Sequence, residues 1–395
     1  MLYATAYAGV PAGSGEAMRV IYAIGSKFAG KGVGTTAYHG ARAIYRHDML
    51  RRLLCGTYRD TDVPSSLIRS VGLPDALLRR LAVYDRTHWV AHVQSLIFDA
   101  WAARQLAPAD LFLVWYKAGL ESILQARAMG MVTVSQWGNV HPREQYDVLA
   151  EEYARWGLRR RMPRAVLARA LAEIEAADYL ICASERAAES FRAHGVAAAK
   201  LVTVVNGADV FHFWPRSEPP AHPFRVLFVG QVGLRKGVLY LLEAWRRLGW
   251  RDAELWLAGN SDPEIRPLLR GAARLPGVRL LGHAIEPLFL YQVADVFAFS
   301  TLLEGSAKVT FEALACGLPV VTTPEAGSVV RDGEDGLLVP ARDVDALAAA
   351  LARLRADDAL RREMHRAARL RAESFPWTRH GQTLVRQLAE IRERS

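Results

Sequence analysis

The chain alternates between short apolar runs and longer stretches in which apolar residues recur every three or four positions. Short apolar runs predict buried strands, and the recurring pattern predicts amphipathic helices. Their regular alternation is typical of a parallel α/β architecture. In the first half, the predicted strands are Val20–Ile24, Leu111–Trp115, Val132–Ser135, Tyr179–Ala183 and Leu201–Val205. The helices predicted between them are Thr35–Tyr45, Leu120–Met129, Val166–Ala176 and Glu185–His194.

A proline-rich segment interrupts this pattern at residues 213–223, where four prolines occur in eleven residues. Such a segment predicts a linker between domains. The strands predicted after it are Arg225–Val229, Glu254–Ala258, Val278–Leu281, Val296–Phe299 and Pro319–Thr322. The helices predicted there are Leu239–Leu248, Pro263–Leu269, Pro287–Val293, Val309–Ala315, Val344–Leu354, Asp358–Glu373 and a last helix that ends near Arg394. We therefore predict two doubly wound domains, with a ligand site in the cleft outside the carboxyl ends of both sheets.

The composition agrees with a globular chain of two domains. Of the 395 residues, 51% are apolar and 23% are charged, which excludes a mostly disordered chain. No apolar run approaches the roughly 20 residues that a membrane-spanning helix needs. Three scattered cysteines give neither a disulfide framework nor a zinc spacing, and we expect them to be buried and reduced in the cytosol. The segment before Met18 has no secretory signal, so Met18 is our expected start of the fold.

The net charge of +9 has one clear focus, because six arginines and no acid lie in residues 155–169. A solvated helix face and an anionic partner are about equally good explanations of such a run. No zinc-finger, RNP or basic-zipper pattern supports nucleic acid as that partner. A phosphate-bearing substrate or an anionic membrane surface fits the run better.

The sequence GQVGLRKG at residues 230–237 follows a predicted strand and leads into a predicted helix. Glycines let a backbone approach phosphate oxygens, and a helix N-terminus adds partial positive charge. The sequence matches neither a P-loop nor a dinucleotide fingerprint. A tight turn with two surface bases is an equally good interpretation of it. Only six of the 50 basic residues are lysines, however, and Lys236 and Lys308 lie beside the two densest glycine and acid clusters.

The second informative segment is STLLEGSAKVTFEALACGLPVVTTP at residues 300–324. Glu304 and Glu312 lie eight residues apart, which is roughly 12 Å along a helix. The paired carboxylates of glycoside hydrolases lie below about 10 Å from each other, so a hydrolase is disfavoured. A ligand held at both ends, such as a sugar nucleotide, suits the spacing better. For this motif taken by itself, a helix-capping acid followed by a surface acid is the slightly better explanation of the pair.

Read together, these segments resemble the retaining glycosyltransferases of family 4, the glycosyl transferases group 1 with the GT-B fold. The matching segments, in the order usual for the family, are ADYLICASE at 177–185, VVNGADVFHF at 204–213, GQVGLRKG at 230–237, EGSAKVTFE at 304–312, ALACGLPVVTT at 313–323 and AGSVVRDGEDGLLV at 326–339. In the first domain the main match is GKGVGTTAYHGARA at 30–43, where the family has a glycine-rich loop.

The resemblance implies that the C-terminal domain binds a nucleoside-diphosphate sugar, UDP-linked in our expectation. Lys236 matches the basic residue that holds the diphosphate, while the family's companion arginine is replaced by Gln231, so that Arg235 is expected to supply its charge. Glu312 matches the acid that binds the ribose hydroxyls, and Glu304 the acid that faces the donor sugar. The backbone is expected to meet the donor at Gly230, Gly305, Ser306 and Ala307.

The resemblance also implies transfer with retention, without a metal or cofactor. Positive side chains and a helix N-terminus would stabilise the departing diphosphate. Asp60 and Asp62 form a DxD pair far from the motifs, and turn acids are the better interpretation of them. His141 is our candidate for the histidine expected in the N-terminal half of the cleft, with a loop histidine as the alternative. Gly32 and Gly34 are expected to let the backbone approach the diphosphate or the acceptor.

The resemblance divides the chain into an acceptor-binding domain at 1–215, a sugar-nucleotide-binding domain at 216–375 and a C-terminal helix at 376–395 that packs back on the first domain. The function it implies is hexosyl transfer to a glycan, a small molecule, or an anionic or lipid-linked acceptor, in cell-surface polysaccharide or glycolipid synthesis. The expected location is the cytoplasm, with peripheral contact to the anionic inner face of the membrane. A GT-B phosphorylase or epimerase and a non-catalytic nucleotide- or glycan-binding subunit remain the alternatives.

Overall fold

The computed structural model describes residues 18–72, 89–158, 163–216, 222–272, 274–284 and 286–395. The chain folds into two compact units. The first unit takes its residues from the ranges 1–143, 161–205 and 377–395, and the second unit from the ranges 144–160 and 206–376. The segment that precedes Met18 in our sequence analysis lies outside the described residues.

The first unit is built on a parallel sheet of seven strands. The strands are β1 (Val20–Phe28), β2 (Leu50–Tyr58), β3 (Ile68–Ser70), β4 (Leu111–Trp115), β5 (Val132–Trp137), β6 (Tyr179–Cys182) and β7 (Leu201–Thr203). Their order is β3-β2-β1-β4-β5-β6-β7, and every neighbouring pair is parallel. The helices in this part of the chain are α1 (Val33–Arg46), α2 (Trp89–Arg104), α3 (Leu120–Ala128), α4 (Pro142–Arg155), α5 (Arg164–Ala176) and α6 (Glu185–Ala193).

The second unit repeats this plan with six parallel strands. They are β8 (Phe224–Val229), β9 (Ala253–Ala258), β10 (Val278–Gly282), β11 (Val296–Phe299), β12 (Val320–Thr322) and β13 (Gly336–Leu338). Their order is β10-β9-β8-β11-β12-β13. The helices are α7 (Val238–Leu248), α8 (Arg266–Ala272), α9 (Leu288–Gln292), α10 (Lys308–Ala315), α11 (Val344–Ala356) and α12 (Asp358–Glu373). The last helix, α13 (Trp377–Arg394), belongs to the first unit.

Both sheets change winding direction once, between β1 and β4 in the first unit and between β8 and β11 in the second. At such a switch point the loops that follow the two strands turn to opposite faces and leave a crevice at the carboxyl ends. Each unit therefore has one edge where its topology favours a ligand.

Helix α13 packs against α1 and contributes to the core of the first unit. Leu384, Leu388 and Ile391 are buried in the same apolar cluster as Val20. The approach of the two helices is close at Gly40, where a Cβ atom would lie 3.0 Å from a methyl group of Leu384. The apolar face of α13 is thus covered within the first unit.

The predicted elements are largely confirmed, and the omissions have a physical cause. Strand β2 was not predicted because Arg51, Arg52 and Gly56 interrupt its apolar residues, and it nevertheless pairs with β1 along its length. Strand β13 is only three residues long. The boundary expected at 215/216 lies inside the second unit, which begins its main segment at Asn206 and also includes residues 144–160.

Candidate functional site

The turn after β8 brings two basic residues to the carboxyl edge of the second sheet. Residues Leu234–Lys236 form a single 3₁₀ turn, and Gly237 follows as the N-cap of α7. Gly237 adopts a left-handed conformation with φ of 64°, and a Cβ atom there would lie 1.7 Å from the carbonyl oxygen of Ser300. Only glycine fits this position, because the turn presses on the segment that leaves β11.

Glu304 joins this turn to the loop after β11. Its Oε1 atom accepts a hydrogen bond from Arg235 Nη1 at 2.5 Å and another from Lys236 Nζ. The Glu304 residue is only 9% exposed. Two adjacent bases and an acid 68 residues further along the chain therefore meet at the switch point of the second sheet.

The electrostatics of this cluster are set by burial and by the ion pairs. Burial alone would raise the pKa of Glu304, but Arg235 and Lys236 outweigh it and the pKa is lowered. Burial lowers the pKa of Lys236 to about 8, although Glu304 opposes the shift. At neutral pH both bases and the acid are charged, so the cluster carries a net positive charge that suits an anionic ligand.

The glycines of the turn lie close to neighbouring groups. Gln231 donates from Nε2 to Asp262 Oδ1, so its side chain is held beside the turn. A Cβ atom at Gly233 would lie 1.9 Å from Asp262 Oδ2. Gly230 has φ of 147°, outside the range of ordinary side chains. Where the family has an arginine, this chain thus has a glutamine bound to an acid, and Arg235 is the base that reaches Glu304.

The loop between Glu304 and α10 is fixed by its backbone. The amide of Glu304 donates to the carbonyl of Glu325, and that of Ala307 to the carbonyl of Ala326. Asn206 Nδ2 donates to the carbonyl of Ser306 at 3.2 Å. Among the described residues, the buried Ser306 Oγ has no hydrogen-bond partner. The loop ends at the N-terminus of α10, whose first turn contains no acid, so its amide dipoles favour an anion.

Glu312 lies one turn further along α10 and is held from a neighbouring helix. Tyr291 of α9 is fully buried, and its hydroxyl donates to Glu312 Oε2 at 2.9 Å. Burial lowers the pKa of Lys308 to about 8, with Glu312 as the opposing charge. Sequence analysis missed Tyr291 and Asp262 as neighbours of the site. Nothing in the local sequence signals either contact.

The first unit contributes a glycine loop between β1 and α1, at its own switch point. A Cβ atom at Gly34 would lie 2.2 Å from the carbonyl oxygen of Lys27, so this turn requires glycine. Gly32 has φ of 71° and faces open space, with no atom within 4 Å of a Cβ atom built there. The predicted approach of a ligand to the backbone is therefore sterically open at Gly32.

Two further loops of the first unit converge on the start of α1. A Cβ atom at Gly138 would lie 3.4 Å from the Tyr116 ring and 3.5 Å from a methyl group of Val33. The Nζ atom of Lys117 lies 5.3 Å from the centre of the Tyr116 ring. The loops after β1, β4 and β5 thus meet, and they bring lysine and aromatic side chains to one edge.

His141 comes four residues after the end of β5 and is only 3% exposed. Its ring stacks on His194, with the centroids 4.3 Å apart, and lies edge-on to Phe191. The Nδ1 atom accepts a hydrogen bond from the amide of Arg143 at 3.3 Å, so in the neutral ring Nε2 carries the hydrogen. Burial, with His194 and Arg143, lowers the pKa of His141 to about 4, so the ring is neutral at pH 7.

The arginine-rich stretch is only partly described, because residues 159–162 lie outside the described ranges. Within the described part, Arg169 pairs with the buried Asp99 and Arg155 with Glu151. At these two positions, acids from outside residues 155–169 therefore neutralise the arginines. In the described ranges no helix is both long and apolar enough to cross a membrane.

Metal-ligand clusters are absent from the part of the chain that the structure describes: no group of three His, Cys, Asp or Glu side chains is placed to hold an ion. The DxD acid Asp62 pairs with Arg42 and Arg46 and accepts a hydrogen bond from the Tyr38 hydroxyl. It behaves as a surface acid in a salt-bridge cluster, as the sequence analysis preferred.

Residues 223–357 match the family model described as glycosyl transferases group 1. The D-inositol 3-phosphate glycosyltransferase of Kribbella flavida is 32% identical over 241 residues, covering 54% of this chain and 56% of that protein. The capsular polysaccharide biosynthesis glycosyltransferase CapM of Staphylococcus aureus is 30% identical over 160 residues, covering 38% and 42% of the two chains. The chain spans about half the length of the curated relatives it matches.

The similarity in structure extends over almost the whole chain. HepE of Anabaena, solved in complex with UDP, superimposes with a TM-score of 0.66 at 17% identity, covering 94% of this chain and 100% of HepE. The likeness to HepE supports the fold of the chain. The match to the family model supports a relation between the second unit and the glycosyl transferases group 1. Residues 223–357 therefore resemble the glycosyl transferases group 1, and the chain has the GT-B fold.

Proposed function

We propose that the protein is a retaining glycosyltransferase that moves a hexosyl group from a nucleoside-diphosphate sugar to an acceptor in cell-surface polysaccharide or glycolipid synthesis. The observation that carries the proposal is the cluster of Arg235, Lys236 and Glu304 beside the N-terminus of α10. Its net positive charge lies at the switch point of a Rossmann-like sheet, where such folds bind nucleotides. The matched relatives are named glycosyltransferases, which supports glycosyl transfer as the reaction.

The donor diphosphate would lie against Lys236, Arg235 and the amides that begin α10. In the ligand-free protein both bases are paired with Glu304, so a diphosphate must compete with this carboxylate for them. When the bond to the sugar breaks, negative charge grows on the leaving phosphate, and these groups stabilise it. Glu304 faces the donor sugar in this arrangement, and Glu312 binds the ribose hydroxyls.

The acceptor hydroxyl must lose a proton as it attacks the anomeric carbon. A leaving phosphate oxygen on the same face of the sugar is a sufficient base, and retention follows when attack and departure share that face. This scheme needs no metal, since the positive charge comes from side chains and the helix N-terminus. His141 is neutral in the pH range of the assay, and its Nε2 hydrogen would donate to a sugar hydroxyl.

UDP is the donor nucleotide that we propose, because HepE, which shares the fold, was solved with UDP. For the acceptor we propose an anionic or lipid-linked molecule. Lys31, Gly32 and Lys117 belong to the loops that meet at the switch point of the first sheet, where a phosphate group would find positive charge and accessible backbone. A cytoplasmic site of action with peripheral contact to anionic membrane follows from such an acceptor and from the net charge of +9.

Calorimetric titration of the purified protein with UDP, GDP, ADP and CMP in EDTA tests the donor part. We expect UDP to bind without metal and Glu312→Ala to weaken the binding at least ten-fold. Glu243→Ala is the matched control, because Glu243 pairs with Arg246 and Arg247 on the surface of α7. Binding of none of the four nucleotides, or equal binding by Glu312→Ala and wild type, would contradict the proposal.

The transfer itself is tested with UDP-glucose and a set of phosphorylated and neutral sugar acceptors. Formation of a product that keeps the anomeric configuration of the donor is the expected result. A product of inverted configuration would disprove retention. Interconversion of the free sugar nucleotide, or dependence on inorganic phosphate, would instead indicate an epimerase or a phosphorylase.

A further inference from the structure

Two side chains, Tyr291 and Lys308, interact with the carboxylate of Glu312. Neither has a role in the proposed function. Tyr291 donates its hydroxyl hydrogen to Glu312 Oε2 at 2.9 Å. Lys308 lies four residues before Glu312 on α10, and positions four residues apart share one face of a helix. We infer that Tyr291 and Lys308 are positioning residues that fix Glu312 so that it selects ribose over deoxyribose in the donor nucleotide. This inference rests on the proposed function.

The environment of Tyr291 makes it a fixed donor. The residue is fully buried, and its ring lies edge-on to Phe213 with the centroids 5.7 Å apart and packs beside Phe297 at the same separation. Burial and the neighbouring Glu312 raise the pKa of the phenol well above its usual value, so the hydroxyl stays protonated. Because the Tyr291 ring is packed in place and its hydroxyl stays protonated, the hydroxyl can only donate to the Glu312 carboxylate. This hydrogen bond fixes the orientation of the carboxylate.

A carboxylate has roughly four acceptor positions on its two oxygens. The bond from Tyr291 uses one of these positions on Oε2 and leaves capacity for both hydroxyls of a ribose. An ionised carboxylate accepts only, so it recognises ligand groups that donate. A nucleotide that lacks the 2′-hydroxyl would leave this oriented acceptor without a partner, which is costly for a charged, half-buried group.

Lys308 stands where a helix favours an acid. The N-terminal turn of α10 carries partial positive charge, and a lysine there is unfavourable. The same lysine is half-buried, which is a second cost. Glu312 is the charge that offsets both costs. A residue that breaks local preferences twice is typical of a functional site, and here its positive charge lies on the same face of α10 as Glu312.

The test compares the binding of UDP and 2′-deoxy-UDP to the full-length wild type and to four variants of it. The variants are Tyr291→Phe, Lys308→Gln, Tyr240→Phe and Glu312→Ala. We expect the wild type to bind UDP about ten-fold or more tightly than 2′-deoxy-UDP. This is the effect expected when a hydrogen bond to a charged group is lost. Tyr291→Phe and Lys308→Gln should each reduce this ratio at least three-fold. Tyr240→Phe is the matched control, because Tyr240 also donates to a buried carboxylate, Glu152, in the same unit. It should leave the ratio unchanged.

The outcomes separate this inference from the proposed function. If the wild type binds no nucleotide, the proposed function fails. If Glu312→Ala removes the preference for UDP but Tyr291→Phe and Lys308→Gln both retain it, only the positioning inference is overturned. In the Glu312→Ala background, Tyr291→Phe should have no further effect on the ratio, since its action passes through Glu312. Two different variants keep the test decisive if one of them does not fold.

Discussion

The two units present different surfaces at the carboxyl edges of similar sheets. In the second unit the edge is occupied by charge, since Arg235 and Lys236 are both paired with Glu304. In the first unit the edge is built from the glycine loop around Gly32 and from the neutral, buried His141. The second unit thus carries a cluster of paired charges at this edge, whereas the first unit carries exposed glycine backbone there.

The difference between the two edges indicates which unit carries features common to many transferases and which unit carries features of this chain alone. The family model matches residues 223–357, which lie within the second unit. A nucleoside diphosphate is the same ligand for many transferases, so a compact charged motif can recognise it. Acceptors differ among transferases, and an edge made of loops can change without disturbing the sheet. The predictions that follow compare the two edges directly.

The largest effect is expected from Lys236→Met. In the proposed function this change removes one of the two positive charges on the leaving diphosphate, and loss of one such group is expected to lower the turnover number by about 10²–10³-fold. Steady-state rates with UDP-glucose measure the effect. Lys200→Met is the control, because Lys200 lies in the first unit and donates to the carbonyl of Glu175. Equal turnover in both variants would show that the charged cluster is not the donor site.

The second prediction compares two glycines that both adopt positive φ. Gly237→Ala places a Cβ atom on the carbonyl of Ser300, whereas Gly32→Ala meets no atom within 4 Å. For an alanine the left-handed backbone of Gly237 costs about 1–2 kcal/mol, and the backbone of Gly32, with ψ of −131°, costs about 1–3 kcal/mol. Steric overlap adds about 1–3 kcal/mol at Gly237 alone, for a total of about 3 kcal/mol.

Hydrogen exchange, followed on peptides from each unit, measures the two costs separately. In Gly237→Ala the free energy of opening of α7 should fall by about 3 kcal/mol, so its amides exchange faster. In Gly32→Ala the free energy of opening of α1 should fall by less. Equal costs at the two positions would mean that the turn after β8 is not tightly packed against Ser300.

The elements and motifs of the second unit could be predicted because their signals are local. A glycine turn, a short apolar strand and the eight-residue spacing of two glutamates are all readable within a few residues. The family resemblance placed Lys236 and Glu304 in one site, but their ion pair was not predicted, since the two residues come together through the sheet topology. The bond from Tyr291 to Glu312 was missed because it depends on how α9 packs against α10.

His141 shows the same limit in the first unit. Sequence position places it after β5, but only the fold shows that His194 and Phe191 cover its ring. Strand β2 was missed for a related reason, because its two arginines hide a strand that pairing with β1 stabilises. Local sequence predicts elements well, and it predicts side-chain surroundings poorly.

The third prediction tests the edge of the first unit as an anion site. The double variant Lys31→Ala, Lys117→Ala should weaken the binding of D-inositol 3-phosphate, used as an anionic probe, by about ten-fold, since each exposed charge pair contributes at most about 1 kcal/mol. Binding of inositol, the neutral probe, should not change, and neither should binding of UDP. A loss of UDP binding instead would place these lysines on the donor, and no loss at all would refute an anionic acceptor site here.

The smallest effect is the dependence of UDP affinity on pH. Burial lowers the pKa of Lys236 and of Lys308 to about 8, and a bound diphosphate favours the protonated amines. Affinity should therefore be constant below pH 8 and decrease above it, with the dissociation constant about four-fold larger at pH 8.5 than at pH 7 for one such group. Calorimetry in buffers of different ionisation enthalpy should detect proton uptake on binding.

The stability of the ligand-free protein should respond to pH with the opposite sign. The folded-state pKa of these lysines lies below their usual value of 10.5, so the unfolded chain binds more protons between pH 8 and 10.5. These two groups then make folding more favourable as pH rises through that interval, while UDP affinity falls. Uridine, which has no phosphate, should bind with little change between pH 7 and 8.5. A UDP affinity that is equally flat would mean that the two amines keep their protons, and that the charged edge is less buried than its geometry indicates.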